Sequence, residues 1–223
     1  MKLLSVQTAI FSKETISRPD LLFNEVNESM GGIINEMPTI LNLPPDIPAE
    51  IPVVQAKSKD GLVNMNVSRS RIDLIINYLY NSDLTPLEAL NVRKSLIQSF
   101  YKSTLKTATA NRTGFILTLF EPHSSNVKAI FNKYFQEKFG AKFVEASMRT
   151  NKQSMRKSIV YNSLRSIEAA TITVDGMNIP GIVFQYDINN VLEQEKTINE
   201  DVIAYVISQG SALLSPDALK EMI

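Results

Sequence analysis

Basic residues between positions 149 and 165 are the strongest candidates for binding chemistry in this chain. The segment contains no acidic residue, and its cations lie among Asn, Gln and Ser side chains. Guanidinium and ammonium groups bind phosphates and carboxylates, and a tyrosine ring is available to stack on a nucleobase. The candidate residues for binding nucleic acid or an acidic partner are Arg149, Lys152, Arg156, Lys157, Tyr161 and Arg165.

The distribution of charge leaves a second interpretation of this segment open. Residues 128–165 carry 9 basic and 2 acidic side chains, whereas residues 166–223 carry 2 basic and 9 acidic ones. The segment 149–165 is polar and begins without periodicity, which predicts a loop between strands. That loop is either a binding surface or a solvated segment neutralised by the acidic C-terminal third.

Two further arginines lie in the Ser-Arg-Ser-Arg stretch of residues 68–71. Arg69 and Arg71 are secondary candidates for binding a nucleic acid or an acidic partner. A phosphate-binding loop usually places converging backbone amides at the N-terminus of a helix. Here the arginines follow one predicted strand and begin the next, so the sequence favours a corner of a sheet.

Catalytic and metal chemistry have little support in the sequence. The chain has no cysteine and one histidine, His123, which excludes disulfides, thiolate ligands and sites with two imidazoles. His123 lies beside Glu121, Ser124 and Ser125, but no Gly-x-Ser-x-Gly nucleophile motif is present. The acidic stretch 193–201 is typical of a loop that leads into a helix N-terminus. We expect no catalytic residue, no metal site and no cofactor.

The candidate residues must be positioned by strands, and the sequence shows patterns typical of hairpins and of buried strands. Asp60-Gly61 and Asp175-Gly176 each predict a two-residue hairpin turn. Alternating apolar residues around the first turn predict a three-stranded meander over residues 53–78. The continuous apolar run at 115–120 is typical of a strand buried on both faces, and residues 141–149 alternate as a further strand.

Four helices are expected between these strands. Residues 17–37 have helical apolar spacing with Ser17 as the cap and Gly31-Gly32 inside the helix. A helix of about five turns follows a capping box formed by Thr85 and Glu88. The pattern also predicts a helix over 124–138. A final helix should start from a second capping box at Thr197, with a short helical turn after it.

The resulting element order is β-α-β-β-β-α-β-α-β-β-β-α. Runs of strands separated by single helices predict an α+β fold with a mostly antiparallel sheet and helices packed mainly on one face. Residues 1–223 are expected to form a single domain. Two lobes joined by the proline-rich connection 38–52 are the alternative.

The meander PVVQAKSKDGLVNMNVSRSRIDL, the capped helix after it and the closing hairpin resemble a sporadically distributed bacterial family of uncharacterised α+β proteins. The final strand, acidic loop and helix are also similar to export chaperones of the SecB type. The resemblance carries no catalytic motif. It implies a cytoplasmic bacterial or phage-related protein that acts as an accessory or antiviral-defence binding partner.

These observations favour a non-enzymatic protein-binding or regulatory module. The alternative is a nucleic-acid-binding protein that uses residues 149–165, and an enzyme is a third option. No apolar run reaches the roughly 18 residues that cross a bilayer, and the N-terminal apolar stretch is too short for a secretory signal. We therefore expect no membrane partner and a cytoplasmic location. Complementary acidic and basic regions make a homo-oligomer a further expectation.

Overall fold

A computed structural model describes residues 1–44, 46–130, 133, 145–192 and 197–222. Within these residues the chain forms nine strands and five helices. The strands are β1 (Lys2–Ser12), β2 (Thr39–Ile40), β3 (Pro52–Lys57), β4 (Val63–Ser68), β5 (Arg71–Asn77), β6 (Ala110–Pro122), β7 (Ser147–Arg156), β8 (Ile159–Val174) and β9 (Met177–Asn190). The helices are α1 (Pro19–Ser29), α2 (Pro86–Thr107), α3 (Asn126–Ile130), α4 (Glu200–Leu213) and α5 (Pro216–Met222).

All nine strands belong to one antiparallel sheet with the order β2-β3-β4-β5-β1-β6-β9-β8-β7. Helices α1 and α2 pack over the half that contains β1, β3 and β4, while α3 and α4 pack over β6, β8 and β9. The predicted α+β fold class is therefore confirmed. The strands at the two edges of the sheet are β2 and β7.

The two faces of the sheet differ in polarity. Strand pairing aligns one row of side chains across the sheet, and the members of this row are buried: Met65, Leu74, Thr8, Phe115 and Ile188. Helix α4 lies on this face, because Gly210 packs against the Phe115 ring. The neighbouring row on the opposite face contains Asn66, Asp73, Ala9, Gly114, Asn189 and Asn162. We call these the helix-side face and the polar face.

The predicted meander is present as β3, β4 and β5, with Ile72, Leu74 and Ile76 buried. Its first connection is longer than the two-residue turn expected at Asp60-Gly61. Residues 58–62 connect the strands, and the Ser58 amide and hydroxyl bond to Val63 and Asp60. The second predicted turn is confirmed, because Asp175 and Gly176 both have positive φ between the paired residues Val174 and Met177.

Helix α2 confirms the predicted capping box. The amide of Glu88 donates to the Thr85 hydroxyl, and the amide of Thr85 donates to the Glu88 carboxylate at 2.9 Å. Both bonds satisfy backbone donors that the first turn of a helix leaves free. Pro86, which has no amide proton to lose, occupies the first helical position.

The first helix is shorter than expected, and the glycine pair lies beyond it. Helix α1 ends at Ser29, and Gly31 and Gly32 have φ values of +82° and +68°. Glycine adopts this left-handed region without the steric cost of a Cβ, so the pair terminates the helix. The cap position is Arg18 and has no side-chain capping bond, so the assignment of Ser17 as cap is also wrong.

Other differences lie in the connections and the C-terminal half. Within the proline-rich connection 38–52, Thr39 and Ile40 form β2 and pair with β3. Asn199, not Thr197, caps α4, because its side chain accepts from the amide of Val202. Most of the predicted helix 124–138 beyond α3, the beginning of the strand predicted over 141–149, and residues 193–196 of the acidic loop lie outside the described residues.

Candidate functional site

The basic segment 149–165 is a β-hairpin and not a loop. Strands β7 and β8 pair from Ser147 with Glu168 to Arg156 with Ile159. Between them Lys157 and Ser158 have φ values of 48° and 61°. Two successive left-handed residues are typical of the tightest hairpin turns, where Asn-Gly or Asp-Gly is usual. Lys-Ser lacks that signature and β7 is polar on both faces, so no local sequence pattern predicts this hairpin.

β7 presents a free edge. It pairs with β8 along all ten of its residues, and no strand in the described part of the chain pairs with its other side. Residues 149–158 are all exposed, and even Met155 keeps 73% of its surface in contact with solvent. An edge strand leaves backbone N–H and C=O groups directed outward without a ladder partner. This edge is not predictable from the sequence, because a polar segment without apolar alternation predicts a loop.

The strand register divides the six candidate residues between the two faces and the turn. Because paired residues share a face, Lys152 and Arg156 lie on the helix-side face together with Tyr161 and Arg165. Arg149 lies on the polar face, and Lys157 lies in the turn. The structure therefore brings the candidates into one hairpin without bringing them to one point.

The tip of the hairpin docks on α4. The Lys157 ammonium donates to the Asp201 carboxylate at 2.8 Å. The Arg156 guanidinium lies 4.7 Å from the centre of the Tyr205 ring, and the Tyr161 ring lies 4.5 Å from the same ring. These residues are among those that line a cleft of about 380 Å³ between the hairpin and α4.

The charge contact at this tip is exposed. The Lys157 and Asp201 side chains keep 68% and 69% of their surface exposed, so solvent screens their attraction. The hydrogen bond and the positive charge of Lys157 hold the pKa of Asp201 below its ordinary value. Among the described residues, the acidic C-terminal third thus engages the hairpin at one ion pair. Arg149 and Lys152 form no ion pair with a described residue.

Tyr161 is not available to stack on a base. It is only 4% exposed, and its ring packs against the Tyr205 ring. Burial is the main cause that raises the pKa of its hydroxyl. Arg165 is also turned toward the interior, with its guanidinium 5.7 Å from the centre of the Tyr186 ring. These two candidates support the hairpin from the helix-side face.

The secondary candidates Arg69 and Arg71 have local partners at the corner between β4 and β5. The Arg69 side chain donates to the backbone carbonyl of Ile47 and holds the proline-rich connection against the corner. The Arg71 guanidinium donates to one Asp73 carboxylate oxygen through Nε at 2.9 Å and Nη2 at 2.7 Å. It also lies 5.0 Å from the centre of the Phe11 ring. These contacts give both arginines a structural role.

His123 has a comparably local role. Its Nδ1 accepts a hydrogen bond from the Ser125 amide at 3.1 Å, and its own amide donates to Pro180. The neighbouring Glu121 pairs with the N-terminal ammonium group of Met1.

Among the described residues, no group of three or more His, Asp and Glu side chains is placed to hold a metal ion. In the same part of the chain, no helix combines the length and apolar character needed to cross a membrane.

A chain of amide side chains crosses the polar face from β7 to β9. Asn151 and Gln153 both donate to the side-chain oxygen of Asn162. The side-chain nitrogen of Asn162 in turn donates to the side-chain oxygen of Asn189 at 3.0 Å. Asn189 donates to Asp187 at 2.9 Å. The network ties the edge strand to the interior of the sheet. Its residues are distant in sequence and depend on strand register, so sequence spacing alone could not reveal it.

Comparison of the chain with models of protein families and with curated proteins finds no match.

Proposed function

We propose that this chain is a non-enzymatic protein-binding module, regulatory or accessory in role, that engages its partner through the free edge of β7. One observation carries the proposal: ten consecutive residues form a strand that, among the described residues, pairs on one side only. A partner segment that adds to such an edge satisfies the outward-directed backbone groups and gains affinity from main-chain hydrogen bonds. The implied bacterial or phage origin, cytoplasmic location and defence role are part of the same proposal.

The cations of β7 are consistent with a selective edge. Natural sheets protect exposed edges with charged side chains, and lysine is the usual choice. Arg149 and Lys152 provide that protection against unwanted strands here. The same charges would favour partners of opposite sign, so protection and selection arise from the same residues.

Nucleic-acid binding through residues 149–165 is the second candidate function. The observation that favours it is the exposure of Arg149 and Lys152 without an ion-pair partner among described residues. Phosphate contacts release counterions, so such binding should weaken steeply as salt rises. It should also be lost in the double variant Arg156→Glu with Lys157→Glu. Fluorescence anisotropy with labelled DNA and RNA at low and near-physiological salt tests this candidate.

Selection from a library of displayed random peptides tests the protein-binding proposal directly. The full chain serves as bait, and enriched peptides are then compared on two variants, Thr150→Pro and Asn151→Pro. Neighbouring residues of an edge strand direct their N–H groups alternately inward and outward. Proline at the outward position leaves the sheet intact, but it removes an outward N–H group that an added strand would use. Circular dichroism identifies the variant that remains folded.

Enrichment of peptides that bind the wild-type chain and lose affinity for the folded proline variant supports the proposal. The matched control is Lys94→Glu with Lys102→Glu, which reverses two exposed cations on α2 and should leave peptide binding unchanged. Failure to enrich peptides would contradict the proposal. So would peptides that bind the wild-type chain and the proline variant equally well.

A further inference from the structure

We infer that the partner of β7 is an extended acidic segment that adds antiparallel to the edge, with three carboxylates separated by four and then three positions. This inference rests on the proposed function and identifies the chemistry of the partner. It goes beyond that function because it fixes the charge, the spacing and the direction of the added strand.

The first step is the charge of the edge. The charged residues of β7 are Arg149, Lys152 and Arg156, all basic and all exposed. No carboxylate lies in the 17 positions from 149 to 165. Opposite charges on neighbouring strands stabilise their pairing, and like charges directly opposite destabilise it. The complementary strand is therefore acidic.

A second copy of the chain is a poor occupant of this edge for the same reason. Antiparallel pairing of β7 with β7 of another copy would double its three cations in one two-stranded ribbon without adding a carboxylate. The repulsion would act across the strand that must pair. The edge is thus directed toward a different molecule.

The second step is the spacing. Lys152 and Arg156 are four residues apart and lie on the helix-side face, whereas Arg149 is three residues before Lys152 and lies on the polar face. Directly opposite residues in a sheet project to the same face. An antiparallel partner read from its N-terminus meets Arg156 first, then Lys152, then Arg149. Its carboxylates must therefore be separated by four and then three positions, and a parallel partner would need the reverse.

The docked state of Arg156 is compatible with this role. Its guanidinium carbon lies over the Tyr205 ring, 4.7 Å from the ring centre, and the residue remains exposed. A guanidinium has five N–H donors, so contact with one ring leaves donors for a carboxylate. Contact with α4 fixes this side chain near the end of the edge, so a partner loses less side-chain entropy when it binds.

Synthetic peptides of the same length test the inference. One labelled peptide, about as long as β7, carries three glutamates spaced four then three on a threonine and valine background. Its isomer has the spacing reversed, and a third peptide replaces glutamate with glutamine. In the antiparallel direction the isomer keeps its outer carboxylates opposite Arg156 and Arg149 but moves the middle one opposite Gln153.

Anisotropy titrations with the full chain should rank these peptides. Loss of one opposite-charge pair should weaken binding by about twofold to fivefold for the isomer, and loss of all three by about eightfold to a hundredfold for the glutamine peptide. The variant Arg149→Glu with Lys152→Glu should bind the acidic peptide more weakly, by about tenfold or more. The control Lys94→Glu with Lys102→Glu should bind this peptide with unchanged affinity.

Amide hydrogen exchange of the complex separates strand addition from a diffuse charge contact. Strand addition should protect alternate amides of residues 147–156, because only every second N–H faces the added strand. Binding without that alternating protection would overturn the inference. Tighter binding of the reversed isomer would overturn the antiparallel direction.

Results from the peptide library distinguish failure of the inference from failure of the function. If the acidic peptide does not bind but library peptides of other composition require the β7 edge, the inference is wrong and the protein-binding function stands. If neither the acidic peptide nor any library peptide binds the edge, both are wrong.

Discussion

Individual side chains of the hairpin divide into those that hold it in place and those that face outward. Arg156, Lys157 and Tyr161 contact α4. Arg149 and Lys152 have no ion-pair partner among the described residues. The sequence predicted the positive charge of these residues but not which of them contact α4 and which face outward. That contact depends on strand register and on residues more than 40 positions further along the chain.

Acid should release the ion pair at the hairpin tip. Lys157 lowers the pKa of Asp201, so the contact is fully present above the ordinary aspartate pKa of about 4 and is lost as pH falls through the lowered value. NMR titration of the Asp201 carboxyl carbon should give a lower midpoint in the wild-type chain than in Lys157→Ala. Equal midpoints would show that the ion pair does not form in solution.

At the scale of elements, helix α4 depends on a close approach to the sheet. A Cβ placed on Gly210 would lie 2.5 Å from Cδ1 of Phe115, and the Phe115 side chain is fully buried. Glycine normally weakens a helix, so Gly210 lowers the helix propensity of α4 but allows the helix to contact the sheet closely. The sequence predicted the helix, but the close approach depends on how two distant elements pack.

Gly210→Ala should therefore destabilise the chain despite its better helix propensity. The substitution gains about 1 kcal/mol of propensity, while crowding in a packed core costs about 1–3 kcal/mol. We expect a net loss of about 1 kcal/mol in the free energy of unfolding, measured by urea denaturation. The exposed control Gln209→Ala should change it by less than about 0.5 kcal/mol.

A double variant checks the cause of that loss. Shortening the opposing ring with Phe115→Leu should make the added cost of Gly210→Ala smaller than in the wild-type chain, because the clashing atoms are removed. Stabilisation by Gly210→Ala in the wild-type chain would contradict the close packing of α4 on β6.

Element types were largely predictable, whereas their ends and the edge were not. The capping box at Thr85 and the turn at Asp175 are local signals that tertiary contacts did not override. The end of α1 was misplaced because glycine is tolerated inside a helix as well as after it. Strand β7 was missed because an exposed edge has no buried face to impose apolar alternation.

At the scale of the whole molecule, the cations of β7 should keep the chain from associating through its own edge. The double variant Arg149→Thr with Lys152→Thr replaces two of these cations. It reduces the repulsion between edges and adds residues that favour strands. We expect the average mass of this variant in light scattering to rise with concentration more steeply than that of the wild-type chain. The matched variant Lys94→Thr with Lys102→Thr should behave like the wild-type chain, and identical masses for all three would contradict this role.

The position of β1 between β5 and β6 has a consequence for the order in which the sheet is assembled during translation. Ala9 pairs with Asp73 on one side and with Gly114 on the other. The earliest of the nine described strands must therefore wait for more than 60 further residues to be synthesised before its first neighbour exists, and for more than 100 before its second. By contrast, β7 and β8 each pair with the strand that follows directly in the chain. The earliest of the nine described strands joins the two halves of the sheet, and β9 links β6 to β8, so the nine-stranded sheet cannot become continuous until β9 has been made.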